Sequence, residues 1–169
     1  MKSLSFMRHA ESYPNYLDES DFDRPTKKSG LKMTQICAEH LKKNNIRYDL
    51  LFCTPALRTK QTSRYFLSVM NLKTIKVIYD YNLYEGCSEN FLLRVSNLKK
   101  YKDILVVTHE PQILFFKDFF LSKTDFWSKI KDLEIATSSV LSINFDVNMW
   151  NEINESNVQS YEFFNPKLL

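Results

Sequence analysis

Glycine is almost absent from this chain. Its 169 residues include only two, Gly30 and Gly86. A Walker loop and a Rossmann fingerprint each need several glycines in one tight turn, because the backbone there must approach a phosphate group closely. The composition therefore excludes both nucleotide-binding motifs. If the protein recognises phosphate, it must do so with arginine and histidine side chains.

Cysteine and long apolar runs are also scarce. The three cysteines, Cys37, Cys53 and Cys87, are odd in number and lack metal or redox spacing. We expect them to be buried thiols in a reducing compartment. No apolar run reaches the length of a membrane span, and no signal-peptide core precedes the first strand. We therefore expect a cytoplasmic protein with no membrane partner.

The residues that are present indicate one compact enzyme domain. A chain of 169 residues, of which 44% are hydrophobic, can bury a substantial core. The net charge of +3 is small and scattered along the chain, which argues against nucleic acid as a partner. Because no linker or internal repeat interrupts the sequence, we predict a single domain over residues 1–169.

Strand patterns and helix patterns alternate along the chain. The helical patterns lie between the predicted strands, and the polar residues 10–28 predict a long loop over the strand ends. This alternation predicts an α/β fold, a three-layer αβα sandwich with a mostly parallel central sheet. The strand patterns cover residues 3–8, 48–53, 74–79, 103–108 and 139–145, and we expect residues 150–153 to return beside the last of these.

The most informative residues stand at the ends of two predicted strands. Arg8 and His9 end the first strand, and His109 directly follows the strand at 103–108. In an open parallel sheet the carboxyl ends of the strands face one crevice, where ligands bind. We therefore expect both histidines and Arg8 to converge there. Together they would form an anion site that contains a nucleophile.

A second arginine has its own structural context. The strand at 48–53 is followed by Thr54, which fits a helix N-cap, and by Pro55, which fits the first helical position. Arg58 then falls in the first turn of a helix. There its guanidinium and the free backbone N–H groups can both serve an anion.

Taken together, these motifs resemble the histidine phosphatase superfamily, and within it the small SixA-type phosphohistidine phosphatases. The resemblance covers almost the full chain, and it departs from the wider superfamily pattern at Ala10, Thr26 and Thr108. The motifs that carry it, in order, are Arg8-His9-Ala10-Glu11, Ser20-Asp21-Phe22-Asp23-Arg24-Pro25 with Gly30 following, Thr54-Pro55-Ala56-Leu57-Arg58, Leu83-Tyr84-Glu85 and Thr108-His109-Glu110-Pro111.

The resemblance implies a phosphoglycerate mutase-like fold and a phosphatase that works through a phosphohistidine intermediate. A neutral imidazole can attack phosphorus directly, and His9 is the candidate nucleophile. The charge on the phosphoryl oxygens would be stabilised by Arg8, Arg24, Arg58 and His109. Because these cations repel one another, the pocket should bind phosphate, sulfate or similar oxyanions readily.

The sequence leaves the proton donor open. Glu85 lies where larger superfamily members keep their general acid, but it could equally be a structural carboxylate paired with an arginine. Asp21 and Asp23 are alternatives, and Asp23 could serve only to orient Arg24. An alkoxide leaving group needs that proton, whereas the imidazole of phosphohistidine leaves easily because its conjugate acid has a pKa near ~6.5. A weak or missing acid would therefore favour P–N substrates.

Three functions follow as alternatives. The first is hydrolysis of phosphohistidine on a phosphotransfer or phosphocarrier protein, favoured because a short chain without an inserted lid leaves an open crevice. The second is hydrolysis of small phosphate esters. The third, a non-catalytic phosphate-binding regulatory module, would not need an intact nucleophile. We expect no metal and no cofactor, because the histidines lack metal-ligand spacing and nearby arginines would repel a cation.

Overall fold

The computed structural model describes residues 1–15, 20–86 and 88–168. Short 3-10 helices occur at Asp21–Asp23, Trp150–Glu152 and Glu155–Asn157. The strands are β1 (Lys2–Arg8), β2 (Leu50–Cys53), β3 (Lys76–Tyr79), β4 (Asp103–Thr108), β5 (Val140–Phe145) and β6 (Val158–Phe164). The helices are α1 (Lys28–Lys43), α2 (Leu57–Met70), α3 (Tyr81–Glu85), α4 (Ser88–Ser96), α5 (Glu110–Leu121) and α6 (Trp127–Ile130).

The strands form one six-stranded sheet in the order β3-β2-β4-β1-β5-β6. The pairs among β1 to β4 are parallel, whereas β5 and β6 are antiparallel additions at one edge. The β1–β4 register places Arg8 opposite Thr108, and the β2–β4 register places Cys53 opposite Val107. The carboxyl ends of these three strands therefore lie side by side, and the predicted mostly parallel α/β sheet is confirmed.

Helices cover both faces of the sheet, because successive side chains of a strand point to opposite sides. On one face Ile104 and Val106 of β4 lie in a buried core with residues of α4 and α5. On the other face Leu105 and Val107 lie in a second core with residues of α1 and α2. The molecule is thus built in three layers, and all four of these β4 side chains are fully buried.

The strand predicted at residues 150–153 is wrong. Trp150–Glu152 form a 3-10 helix, and the strand that returns beside β5 is β6, further along the chain. Trp150 is fully buried and its ring nitrogen donates a hydrogen bond to the carbonyl of Tyr101 at 2.8 Å. The apolar character of this segment therefore reflects a tryptophan that fills the core rather than one face of a strand.

Helix α2 begins two residues later than the sequence predicted. Its N-cap is Ala56, without a side-chain capping bond, and its first residue is Leu57. Thr54, the predicted cap, is buried and donates its hydroxyl to Thr59 at 3.0 Å. The Thr59 hydroxyl in turn lies 2.8 Å from the carbonyl of Ala56. These bonds fasten the connection to the helix, and Arg58 remains in the first turn.

One glycine allows α1 to lie against the chain that leaves β1. A Cβ added at Gly30 would stand 2.5 Å from the carbonyl oxygen of Glu11, which is closer than any side chain can approach. The same carbonyl accepts the backbone N–H of Lys27 at 2.8 Å. The two ends of the long segment at 10–28 are therefore fixed to each other and against α1.

Cys37 and Cys53 are buried free thiols, as the composition predicted. Burial raises the pKa of Cys37 to about 12 and that of Cys53 to about 11, so both remain protonated at neutral pH. Cys87, the third cysteine, lies outside the described residues. Neither buried thiol has the low pKa of a reactive cysteine.

Candidate active site

Two histidines meet at the carboxyl ends of β1 and β4. The rings of His9 and His109 have their centroids 5.6 Å apart, with planes inclined at 71°. The backbone N–H of His9 donates to the carbonyl of Thr108 at 3.0 Å, which extends the β1–β4 ladder by one residue. Backbone pairing in the centre of the sheet therefore sets the distance between the two imidazoles.

The His9 ring is held from both sides. Its Nδ1 lies 2.7 Å from the carbonyl oxygen of Ala10, so Nδ1 carries the proton and Nε2 keeps a lone pair. Arg58 Nε donates to that Nε2 at 3.3 Å. Burial lowers the pKa of His9 to about 3; the bond to Ala10 opposes this, whereas Arg58, His109 and Arg8 add to it. His9 is therefore neutral at pH 7.

His109 has no hydrogen-bond partner among the described residues. Both of its ring nitrogens are buried and unpaired there. Burial, followed by the positive charge of Arg58, lowers the pKa of His109 to about 4. The ring of Tyr84 packs edge-on against it with centroids 5.3 Å apart. Buried polar groups without partners are uncommon, and an anionic oxygen in the crevice would both pair with this imidazole and favour its protonated form.

Arg58 joins the histidines to the long segment. It is only 5% exposed, at the start of α2. Besides its Nε contact with His9, its Nη1 donates to the backbone carbonyl of Asp21 and its Nη2 to the Asp21 carboxylate at 3.0 Å. All three guanidinium nitrogens are thus engaged, and two of them are directed at one residue.

Asp21 also binds a second arginine. Its Oδ1 accepts from Arg24 Nε and lies 2.8 Å from Arg24 Nη2. The hydroxyl of Tyr84 donates to Oδ2 at 3.4 Å. Burial raises the pKa of the Asp21 carboxyl, but Arg58 and Arg24 outweigh it, and the net result is a lowered pKa. An ionised carboxylate therefore lies at the centre of the side chains expected to bind phosphate.

Arg8 has a different set of partners. Its Nη2 pairs with the carboxylate of Glu110 at 3.1 Å, and its Nη1 donates to the carbonyl of Ile135. It still lies close enough to His9 to lower the pKa of the imidazole. The pairing of Glu110 with Arg8 was not predicted from the sequence. Its position immediately after His109, at the first residue of α5, was the available signal.

The two remaining acids from the sequence analysis stand apart from this network. Glu85 is exposed at the last residue of α3, and no hydrogen bond or ion pair joins its side chain to a described residue. Asp23 is exposed as well and has no side-chain partner in the same ranges. The suggestion that Asp23 orients Arg24 is wrong, because that arginine pairs with Asp21 and donates to Ser12 and Tyr13.

Aromatic residues line the rim of the site, which the sequence analysis did not predict. Phe22 packs edge-on against Tyr84 at 5.3 Å and lies parallel to Tyr81 at 6.3 Å. The Lys60 ammonium lies 5.7 Å from the Phe22 ring centroid. The sequence motif at 83–85 predicted a role for Glu85 alone. On a short helix the preceding residue points in another direction, and here Tyr84 is the side chain that reaches the histidine.

Two kinds of feature are absent from the described residues. Within 1–15, 20–86 and 88–168, no cluster of three or more His, Cys, Asp or Glu side chains could hold a metal ion. Among the helices described, none is both long enough and apolar enough to cross a membrane.

Comparison with known proteins finds the same architecture among solved structures. No family model matches the chain, and no curated protein matches its sequence. A protein assigned as the phosphohistidine phosphatase SixA from Agrobacterium tumefaciens superposes with a TM-score of 0.76 and 21% identity, over 85% of this chain and 92% of that one. The protein histidine phosphatase SixA complexed with tungstate gives 0.74 and 17%, over 98% of both chains. The alpha-ribazole phosphatase from Shigella flexneri gives 0.67 and 15%, over 87% and 92%.

This likeness shows the fold. The chain has the phosphoglycerate mutase-like α/β fold that SixA and alpha-ribazole phosphatases of the histidine phosphatase superfamily share. A phosphoglycerate mutase from Bacillus anthracis also superposes, with a TM-score of 0.58. The fold expected from the sequence resemblance is therefore confirmed. At identities of 13–21%, activity and substrate have to be argued from the site itself.

Proposed function

We propose that this protein is a phosphatase with His9 as its nucleophile. The observation that carries the proposal is a neutral imidazole whose unprotonated Nε2 accepts from a buried arginine and lies beside a second histidine, which has no hydrogen-bond partner among the described residues. Attack by Nε2 forms an N–P bond while the bond from phosphorus to the leaving group breaks. Water then cleaves the N–P bond, which releases orthophosphate and regenerates His9.

The surrounding cations would stabilise the transferring group. Charge on the three equatorial oxygens is the main demand of phosphoryl transfer, and fixed guanidinium groups meet it. Arg58 is buried beside the nucleophile, and Arg8 is fixed close to it by Glu110. His109, which meets no hydrogen-bond partner in the described part of the chain, would gain one, and Arg24 would act from the long segment. We propose these four residues as the phosphoryl-binding set.

The carboxyl groups near the site favour a leaving group that needs little protonation. The Asp21 carboxyl has a lowered pKa, so it is ionised at neutral pH and donates a proton poorly. Glu85 is exposed and is not bonded to a described site residue. An imidazole leaving group tolerates a weak acid, since its conjugate acid has a pKa near ~6.5. We therefore propose phosphohistidine on a phosphotransfer or phosphocarrier protein as the substrate.

The rim of the site suits a protein substrate. Tyr81 is 60% exposed and Tyr79 is 43% exposed, and Lys60 lies within 5.5 Å of the Tyr79 ring centroid. Aromatic side chains are enriched at protein interfaces. This rim lies next to Phe22 and hence to the phosphoryl-binding side chains.

Small phosphate esters are the alternative substrates, and the position of Glu85 is the observation that favours them. Glu85 directly follows Tyr84, whose ring contacts His109 and whose hydroxyl reaches Asp21. The Glu85 carboxyl therefore lies on the short helix that borders the site. If it donates a proton to an alkoxide, esters become competent substrates.

A comparison of three substrates tests both assignments. Turnover would be measured with a phosphohistidine-bearing phosphocarrier protein, p-nitrophenyl phosphate and an alkyl phosphate, for the wild type and Glu85→Gln. If Glu85 is the acid, the variant should lose about 10²–10⁴-fold on the alkyl phosphate and far less on the other two. Glu89→Gln, an exposed acid on α4, is the matched control.

The outcomes separate the functions. A wild type that prefers the phosphohistidine protein supports the proposed substrate, and one that prefers alkyl phosphates contradicts it. A uniform loss in Glu85→Gln with a lower melting temperature would make Glu85 structural. If the wild type hydrolyses none of the three substrates, the phosphatase proposal is wrong and a binding module takes its place.

A further inference from the structure

One carboxylate takes up the side chains that a phosphoryl group would need. Asp21 accepts from Arg58 with both its carboxylate and its backbone carbonyl, and from Arg24 with its second carboxylate oxygen. The remaining Arg24 nitrogen donates to Ser12 and Tyr13. An anion that bridges two guanidinium groups is arranged in the way that arginine binds phosphate. Asp21 thus contacts the two arginines in the way that a bound phosphate would.

The contacts of the two histidines are consistent with Asp21 holding Arg58 in place of a phosphoryl group. His9 Nε2, the proposed attacking atom, accepts a hydrogen bond from Arg58 Nε at 3.3 Å. The two ring nitrogens of His109 are shielded from solvent and meet no partner among the described residues. A phosphorus atom in front of His9, with oxygens on Arg58 and His109, would compete with Asp21 for the guanidinium of Arg58. Binding of substrate would then exchange one anion for another.

The Asp21 side chain can leave the arginines without moving a buried residue of its own turn. Asp21–Asp23 form a single turn of 3-10 helix in which none of the three residues is buried. The Asp21 side chain is already 47% exposed, so its transfer to water removes few contacts other than those with the arginines and Tyr84. Asp21 offers these arginines a single negative charge, and a phosphoryl dianion with more oxygens and more charge can replace it.

We propose that Asp21 is an internal competitor for the phosphoryl group and thereby sets the affinity and anion selectivity of the site. The proposal rests on the proposed function for the assignment of Arg58 and Arg24 as the anion-binding side chains. A carboxylate held between two arginines excludes weak, singly charged anions such as acetate. It yields to a phosphoryl group, which offers each arginine a better partner.

The competing explanation is that Asp21 is a positioning residue that holds the two arginines ready for phosphate. The two roles predict opposite results when its charge is removed. A competitor, once removed, leaves the site free, and the affinity for an oxyanion rises. A positioning residue, once removed, leaves the arginines loose, and the affinity falls.

Direct binding of orthophosphate and of tungstate, measured by calorimetry, distinguishes the two roles. The proteins would be the wild type, Asp21→Asn and Asp21→Ala, with Asp23→Asn as the control that removes the same charge from the same turn. We expect both Asp21 variants to bind each oxyanion about tenfold more tightly, because the fraction of unoccupied sites rises. The Asp23 control should stay within about twofold of the wild type, since Asp23 is exposed and its side chain has no partner among the described residues.

Weaker or unchanged binding in both Asp21 variants would overturn the proposal, and so would an equal gain in Asp23→Asn. Because binding needs no turnover, the result is independent of the phosphatase assay. If the Asp21 variants bind oxyanions more tightly but the protein hydrolyses no substrate, the competitor role of Asp21 is supported and the phosphatase proposal is wrong. Turnover by proteins in which the Asp21 substitutions do not tighten binding refutes the competitor and leaves the enzyme standing.

Discussion

The two sides of the candidate site are held in place by different forces. On the strand side, His9 and His109 follow β1 and β4, and backbone hydrogen bonds in the centre of the sheet fix their separation. On the loop side, Asp21 and Arg24 belong to a turn without a buried residue and are held by ion pairs with each other and with Arg58. Backbone pairing thus fixes the reacting groups, whereas an incoming anion can replace the ion pairs of the loop side.

Arg58 belongs to both sides. Its backbone lies in the first turn of a helix packed on the sheet, and its side chain is buried. Its Nε contacts the nucleophile while both Nη atoms contact Asp21. The contrast predicts a graded series of effects, large for the strand side and Arg58, and smaller for the loop.

The largest effect should come from the nucleophile. His9→Ala should lower the turnover of p-nitrophenyl phosphate by on the order of 10³-fold or more, because the covalent step is lost. The fold should persist, since the residue lies at a strand end. In the wild type, rapid quenching with labelled substrate should trap an acid-labile, base-stable phospho-enzyme.

The matched control for that variant is His40→Ala. His40 lies on α1 against Phe164, away from the site, so its loss should leave turnover near the wild-type value. If His9→Ala retained more than a few per cent of activity, the covalent mechanism would have to be abandoned.

The next largest effect should come from Arg58. Arg58→Lys should cost about 10²-fold in kcat/KM, the usual scale for loss of one preorganised donor at a developing charge. A lysine cannot reproduce the planar fork, because its ammonium carries three donors on one nitrogen instead of five in a fixed geometry. Arg64→Lys, an exposed site on the same helix, is the control. Kinetics equal to those of the wild type would rule out a bidentate role.

Arg24 tests the loop side. Arg24→Ala should raise KM by about tenfold, the equivalent of one charge-assisted hydrogen bond of about 1.5 kcal/mol, and should leave kcat nearly unchanged. The reason is that Arg24 contacts the proposed anion site from an exposed turn and does not touch the imidazoles. A loss in kcat as large as that of the Arg58 variant would show that Arg24 stabilises the transition state as much as Arg58 does.

The two buried histidines of the strand side should also make the free energy of unfolding depend on pH. His9 and His109 have folded pKa values of about 3 and about 4, below the unfolded value of 6.5. The unfolded chain therefore binds more protons between these values, and the free energy of unfolding should fall as the pH drops below about 6.5. Each histidine contributes up to about 1.4 kcal/mol per pH unit.

Denaturant unfolding at pH 5, 6 and 7 measures this slope. His9→Gln and His109→Gln should each flatten it, because the substituted site no longer titrates. A wild-type slope of zero would mean that the imidazoles are not buried in their neutral form.

The smallest expected effect is that of chelation. Prolonged treatment with EDTA should leave turnover unchanged, because arginines beside the histidines disfavour a cation on either side of the site. Tungstate or vanadate should inhibit by occupying the phosphoryl position. Loss of activity on chelation, with recovery on adding zinc or magnesium, would show that the site works with a metal.

Some elements of this structure could be predicted because their signals are local. The buried strand at 103–108 and the short strand before Arg8 were visible as apolar runs, and their parallel pairing follows from helices that intervene between them. The strand predicted at residues 150–153 was wrong because its signal was not specific to a strand. An apolar side chain there fills the core from a 3-10 helix, and composition cannot distinguish that from a strand.

The sequence by itself determined the parallel α/β fold, the meeting of His9 with His109, and the placement of Arg58 in a first helical turn. Each of these follows from backbone periodicity and strand direction. Only the tertiary structure decided which charges pair: Asp21 with two arginines, Glu110 with Arg8, and Tyr84 against His109. Such contacts join positions that are far apart in the chain, and they depend on side-chain directions that no local pattern specifies.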